Sequence, residues 1–231
     1  MSGSFLRASG ACWIASAFTT LALIFLPRFV PIAPDLDSQA RLAHDPVYIT
    51  RVWVSLVHPL IVLVGALGVL YARFRERPGS ASTGFLFFSL WAFTEAIQAS
   101  LTIVALNWTW RPKYLAAHDK AVRDALQVQI TGFDAVWDGL FFVLVIAFII
   151  ANLLFAVAVR GGPVLQRYVS VGFVLGAGLG IISLATSFGG GILPAQVMDV
   201  LYPALQPAAR FLTGLWLLRL SRDKAGLLFT R

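Results

Sequence analysis

The 231-residue chain holds one cysteine, Cys12. That rules out an internal disulfide and any metal site built from several thiolates. Its bland role is a small apolar residue. Charge is scarce too: Asp, Glu, Lys and Arg make up 13% of the chain, against about 25% in a soluble domain. There are three histidines. His44 and His118 fall in polar connections, so a haem held by two histidines of apolar segments has only His58 to draw on. Zinc faces the same shortage of ligands. No glycine-rich phosphate loop follows a strand, and Ser89, Ser100 and Ser183 lack a convincing His/Asp set for nucleophilic catalysis. Neither a cofactor nor a metal is expected.

What the chain does have is long apolar runs. It is 58% hydrophobic with a mean hydropathy of +0.80, which places it in the membrane class. The expected fold is all-α: a single polytopic bundle lying in a lipid bilayer, with no separate soluble domain. The apolar runs predict six spanning helices at about 11–33, 52–72, 84–107, 134–159, 168–188 and 196–218. The first run follows Arg7, and Ala15-Ser16-Ala17 resembles a signal-peptide cleavage site. The triplet precedes most of the run, so the segment reads as an uncleaved first helix.

The net charge of +7 raises nucleic acid as a partner. The Lys and Arg residues sit mostly beside the apolar runs, however, where they set topology and touch headgroups. No nucleic-acid binding is expected. Six spans put both termini on one side. More basic residues then gather in the segments with Arg7, Arg73, Arg75, Arg77, Arg160, Arg167, Arg219, Arg222, Lys224 and Arg231 than in the intervening ones. That bias predicts cytoplasmic termini.

The connections carry their own signals. Pro59 follows His58 and is expected to bend the second helix near Ser55. Trp108 and Trp110 close the third helix, as aromatics do at headgroup level. Leu115, Val122, Leu126 and Ile130 share one side at helical spacing, which predicts a short amphipathic helix on the membrane surface between helices three and four. Gly189, Gly190, Gly191 and Pro194 predict a turn before the sixth helix, and Pro203 and Pro207 are expected to interrupt that helix. Gly172, Gly176 and Gly180 recur every four residues, a small-residue face for close helix packing.

Two charges lie deep in these apolar runs. Glu95 is near the middle of the third, about 17 Å from either end at ~1.5 Å per residue. Arg210, on the sixth, lies at a similar depth. A carboxylate there is expensive and should face a partner inside the protein. An intramembrane Glu95–Arg210 ion pair is the simplest expectation, with Gln98 on the same helix face to complete its hydrogen bonds. Two readings of the pair stand: a clamp that fixes helix register, and a functional pair. His58, Asp134 and Asp138 lie nearer one end and are candidates to line a polar pocket with Glu95 and Arg210 as its floor. Their plainer roles are a helix-packing hydrogen bond for His58 and a helix start for the two acids.

The stretches FTEAIQAS (93–100), FDAVWDGLFFVLVIAFIIANLLFAVAV (133–159) and ARFLTGLWLLRL (209–220) resemble a bacterial family of six-helix membrane proteins, domain of unknown function 4386. The resemblance covers residues 52–220. It implies a six-helix bundle with one charge on the third helix and one on the sixth. In that family the third-helix charge is usually Arg and the sixth-helix charge Glu; here they are exchanged. An exchanged pair implies direct contact and favours a clamp. The resemblance brings no activity with it.

Three functional readings follow. The first is a non-enzymatic membrane protein that binds a small apolar or amphipathic ligand, or a partner membrane protein, with no catalytic residues. The second is a transporter using Glu95, Arg210 and the proline-bearing sixth helix. The third is an intramembrane enzyme using His58, Glu95 and Asp138.

Overall fold

A computed structural model describes residues 3–189 and 195–226. Most of the expected turn at Gly190, Gly191 and Pro194, and the basic tail residue Arg231, lie outside them. Eight α-helices order the described chain: α1 (Gly3–Phe25), α2 (Leu36–Arg41), α3 (Pro46–Arg73), α4 (Pro78–Leu101), α5 (Arg111–Ala116), α6 (Lys120–Val159), α7 (Val164–Phe188) and α8 (Ala195–Gly226). The described residues contain no strand.

Helix starts follow local chemistry. Asp45 caps α3 by accepting the Tyr48 amide at 2.7 Å, with Pro46 at the first helical position. Asp119 caps α6 through the amides of Ala121 and Val122. Asp35 and Ser38 form a reciprocal capping box at α2. Each satisfies amides that no preceding turn can serve.

The long helices form a ring in chain order: α1 packs on α3, α3 on α4, α4 on α6, α6 on α7, α7 on α8, and α8 returns to α1. The end where α1 finishes and α3 begins is called the upper end here. Glycines allow the closest approaches. A Cβ on Gly214 of α8 would stand 2.7 Å from the Gly10 carbonyl oxygen of α1, and one on Gly84 would stand 2.6 Å from the Phe155 ring. The 172/176/180 stripe is divided between two neighbours: Gly172 faces Ala209 of α8, while Gly176 and Gly180 face Asn152 and Ile149 of α6.

Five segments are long and apolar enough to cross a bilayer: Gly3–Phe29, Pro46–Arg73, Pro78–Ala116, Lys120–Val159 and Val164–Phe188. The protein is a multi-pass membrane protein whose apolar helices face lipid. α8 does not meet the same measure among the described residues. It is nonetheless 32 residues long and continuous through Pro203 and Pro207, so the expected interruption does not occur. α3 likewise runs unbroken through Pro59.

The expected surface helix at 114–130 is not a separate element. Arg111–Ala116 continues the α4 direction as α5, and the residues from Lys120 onward are the first turns of the 40-residue α6. At ~1.5 Å per residue α6 is about 60 Å long, twice a hydrocarbon core of ~30 Å. Its first turns therefore project from the upper end. There Ala40, Leu106, Tyr114, Ile130 and Phe133 make a small core of their own beneath α2. Between α4 and α5, Thr102–Trp110 is a π-helix, with Thr109 Oγ1 donating to the Val104 carbonyl at 2.7 Å.

At the lower end the last carbonyls of α6 receive side chains from neighbouring segments. Ser170 donates to Ala156 (2.9 Å), Arg77 to Val157, Arg73 Nε to Ala158 (2.9 Å) and Gln166 to Val159 (2.9 Å). These are the groups a helix leaves without internal partners, and the cations also meet its negative end. Arg73 and Arg77 thus do more than mark a membrane face.

Candidate functional site

The ring encloses a cavity of ≈ 510 Å³. Every ring helix contributes to its wall, through residues such as Thr20 of α1, His58 of α3, Glu95 of α4, Trp137 of α6, Ser183 of α7 and Arg210 of α8. It runs from the upper end, where Tyr48, Arg51, Arg111 and Asp134 line it, to mid-bundle, where Trp91 and Arg210 form the floor.

Below the floor the ring is filled by aromatic rings. Phe88 is the hub: it packs on Trp13 (6.1 Å between centroids), Trp91 (6.1 Å), Phe148 (6.3 Å), Phe155 (4.9 Å) and Phe173 (6.5 Å). Most of these contacts are edge-on, the arrangement aromatic quadrupoles favour. The space between Arg210 and this cluster measures ≈ 20 Å³, about enough for one water. The cavity is therefore closed below.

Glu95, Arg210, His58, Gln98 and Asp134 all line this cavity; Asp138 does not. A helix turns about 400° over four residues, so Asp138 sits about 40° round from Asp134. Both are exposed, and that rotation is enough to take Asp138 off the cavity wall.

The expected Glu95–Arg210 ion pair does not form. Among the described residues the side chain of Glu95 makes no salt bridge and no hydrogen bond. Arg210 is 7% exposed. Its Nε donates to Gln206 Oε1 at 3.3 Å, its guanidinium carbon lies 5.8 Å from the Trp91 ring centroid, and its Nη1 is buried without a partner. The i, i+4 spacing of Gln206 and Arg210 and the stacking over Trp91 hold the guanidinium in place. Glu95 and Arg210 thus face one cavity within electrostatic reach of each other but without a salt bridge.

Gln98 is also placed otherwise than expected. Its Nε2 donates to the Trp137 carbonyl of α6 at 3.0 Å and not to Glu95. It ties α4 to α6 at the height where the wall is otherwise aromatic. His58 is 3% exposed, shares a 2.7 Å hydrogen bond from Nδ1 to Thr19 Oγ1 of α1, and stands edge-on to Trp91 at 6.0 Å. That is the helix-packing role. The enzyme set of His58, Glu95 and Asp138 is not assembled, because Asp138 is outside the cavity and His58 makes no hydrogen bond to Glu95.

Several lining residues escape a reading based on charge in apolar runs. Tyr202 and Gln206 share the cavity with Arg210. Gln206 has a signal in the sequence, since it precedes Arg210 by one helical turn. Arg111 reads as part of a connection, yet it is 7% exposed, donates to Asn107 Oδ1 at 2.8 Å and lies 5.1 Å from the Tyr48 ring centroid. It directly follows the π-helix, and such segments recur at functional sites. No group of three or more His, Cys, Asp or Glu able to hold a metal occurs among the described residues.

Comparison with family models, curated proteins and solved structures returns no match to this chain.

Proposed function

We propose that this protein binds a small amphipathic molecule in the cavity within the ring. The observation that carries the reading is the one-ended ≈ 510 Å³ cavity itself. Ligand sites commonly measure about 300–1,000 Å³, with apolar walls and a few convergent polar groups. Here Trp91, Phe133, Trp137, Phe141 and Phe148 supply aromatic wall, while Glu95, Arg210 and Gln206 supply the polar end. The proposal takes the whole chain as one bundle of six spans. α8 is the sixth, with Tyr202, Gln206 and Arg210 lining the cavity and a length sufficient to cross. Cytoplasmic placement of both termini rests on the distribution of basic residues, and placement in a bacterial inner membrane on the resemblance to a bacterial family. Membership of the family of domain of unknown function 4386 rests on the three stretches that resemble it.

Transport is the weaker reading. It needs a route to the lower end, and the Phe88 cluster occupies that route. The binding proposal is tested by denaturing the detergent-purified protein and identifying released small molecules by mass spectrometry. Wild type is expected to release one that a Ser183→Trp variant, with its cavity filled, does not. Equal release by both variants, or by neither, counts against the cavity as a binding site.

A further inference from the structure

We infer that the ligand is an amphipathic zwitterion, with a cationic group held by Glu95, an anionic group held by Arg210, and an aromatic or apolar body against the wall above. The inference rests on the binding proposal and gives the chemical class of what is bound. Its basis is the pair of opposite charges that share one cavity without meeting.

Removing a charge from water is expensive unless it is paired and hydrogen-bonded. Two opposite charges at similar depth in one bundle would normally meet and cancel. Here the side chain of Glu95 has no hydrogen bond or salt bridge among the described residues. Arg210 is held back by Gln206 and by the face of Trp91, and retains a buried nitrogen without a partner. Both side chains line the cavity. The arrangement is an acceptor and a donor fork kept apart, and a molecule bearing both signs completes both.

A purely anionic ligand would satisfy Arg210 and set its own charge against Glu95. A purely cationic one would do the reverse. Either leaves one of the two side chains without a hydrogen-bonded ion partner. A neutral apolar molecule leaves both. The aromatic wall, Trp137 stacked on Phe141 at 5.2 Å among it, suits a planar or apolar body. Arg51, Arg111 and Asp134 at the upper end again present both signs.

The test uses full-length wild-type protein in lipid nanodiscs and three probes of one shape: L-phenylalanine, phenethylamine and 3-phenylpropionate. Calorimetric titration is expected to show phenylalanine binding about tenfold or more tighter than either singly charged analogue. Equal or tighter binding of an analogue overturns the zwitterion and leaves the amphipathic site standing. No binding of any of the three overturns both. In Glu95→Gln the advantage of phenylalanine over 3-phenylpropionate should vanish, and in Arg210→Gln its advantage over phenethylamine should vanish. Retention of both preferences in folded variants places the ligand's charges elsewhere and overturns the assignment. Dihexanoyl-phosphatidylethanolamine and dihexanoyl-phosphatidylglycerol separate the sources. Displacement of phenylalanine by the first and not the second assigns the zwitterion to a lipid headgroup; displacement by neither assigns it to a free solute.

Discussion

Glu95 and Arg210 open onto the same cavity but form no salt bridge, because Gln206 and Trp91 hold the guanidinium on the α8 side. In the absence of ligand, a double-mutant cycle on unfolding with Glu95→Gln and Arg210→Gln is expected to show a coupling below about 1 kcal/mol. A contacting buried pair loses about 3–5 kcal/mol when one partner is removed. A coupling in that larger range would mean the two residues meet directly.

Helix packing gives a prediction with an internal control. A Cβ on Gly214 would lie 2.7 Å from the Gly10 carbonyl oxygen, a backbone atom that can yield only if α1 and α8 separate. Gly214→Ala is expected to destabilise by about 1–3 kcal/mol. A Cβ on Gly178 of α7 would meet nothing within 4 Å, and Gly178→Ala should stay within about 0.5 kcal/mol of wild type. Thermal unfolding in detergent measures both. Equal effects would show that the α1–α8 contact is looser than described.

The contacts of α2 at the upper end should respond to acid. Asp37 of α2 accepts hydrogen bonds from Arg123 of α6 and from Tyr114 of α5 (2.8 Å for Tyr114), and Arg123 also lies 4.6 Å from the Tyr114 ring centroid. The bond from Arg123, then that from Tyr114, holds the Asp37 carboxyl below its usual range. Its folded value is thus lower than its unfolded one. The contribution is present above about pH 4 and is lost as pH falls through the folded value. Hydrogen exchange of the α2 amides is expected to speed up at strongly acidic pH in wild type. In Asp37→Asn it should already be fast at neutral pH. The group is half exposed, so the effect is expected to be local.

The membrane class, the helical bundle and part of the polar cavity lining (His58, Glu95, Gln98, Asp134 and Arg210) are readable in the residues. Apolar runs report the bilayer directly, and a charge such as Glu95 in mid-run has a depth fixed by helix rise alone. Depth does not give azimuth. Asp134 and Asp138 lie one helical turn apart, yet only Asp134 lines the cavity. Nor does depth give contact: whether Glu95 and Arg210 meet depends on Gln206 and Trp91, which compete for the guanidinium.

The upper end is harder to read because charge there does not interrupt a helix. Lys120, Arg123 and Asp124 suggest a connection, but α6 simply continues past the membrane boundary with these residues solvated or bonded to α2. The π-helix at 102–110 leaves no trace in composition, since it differs from an α-helix by a fraction of a residue per turn. The prolines of α8 mislead for a related reason. Each removes a hydrogen bond, but packing along α1 and α7 holds the helix together.

The central claim is a ligand cavity open at one end and closed below Arg210. Thiol labelling tests it most directly, because Cys12 is the chain's one cysteine and Cys12→Ser gives a clean background. Ser55→Cys and Ser183→Cys line the cavity, while Thr213→Cys borders the small space beneath its floor. With a membrane-impermeant methanethiosulfonate reagent on sealed vesicles, the first two are expected to react from one face only and Thr213→Cys from neither. Reaction of Thr213→Cys, or reaction of the cavity positions from both faces, would contradict a one-ended site and favour a transport path.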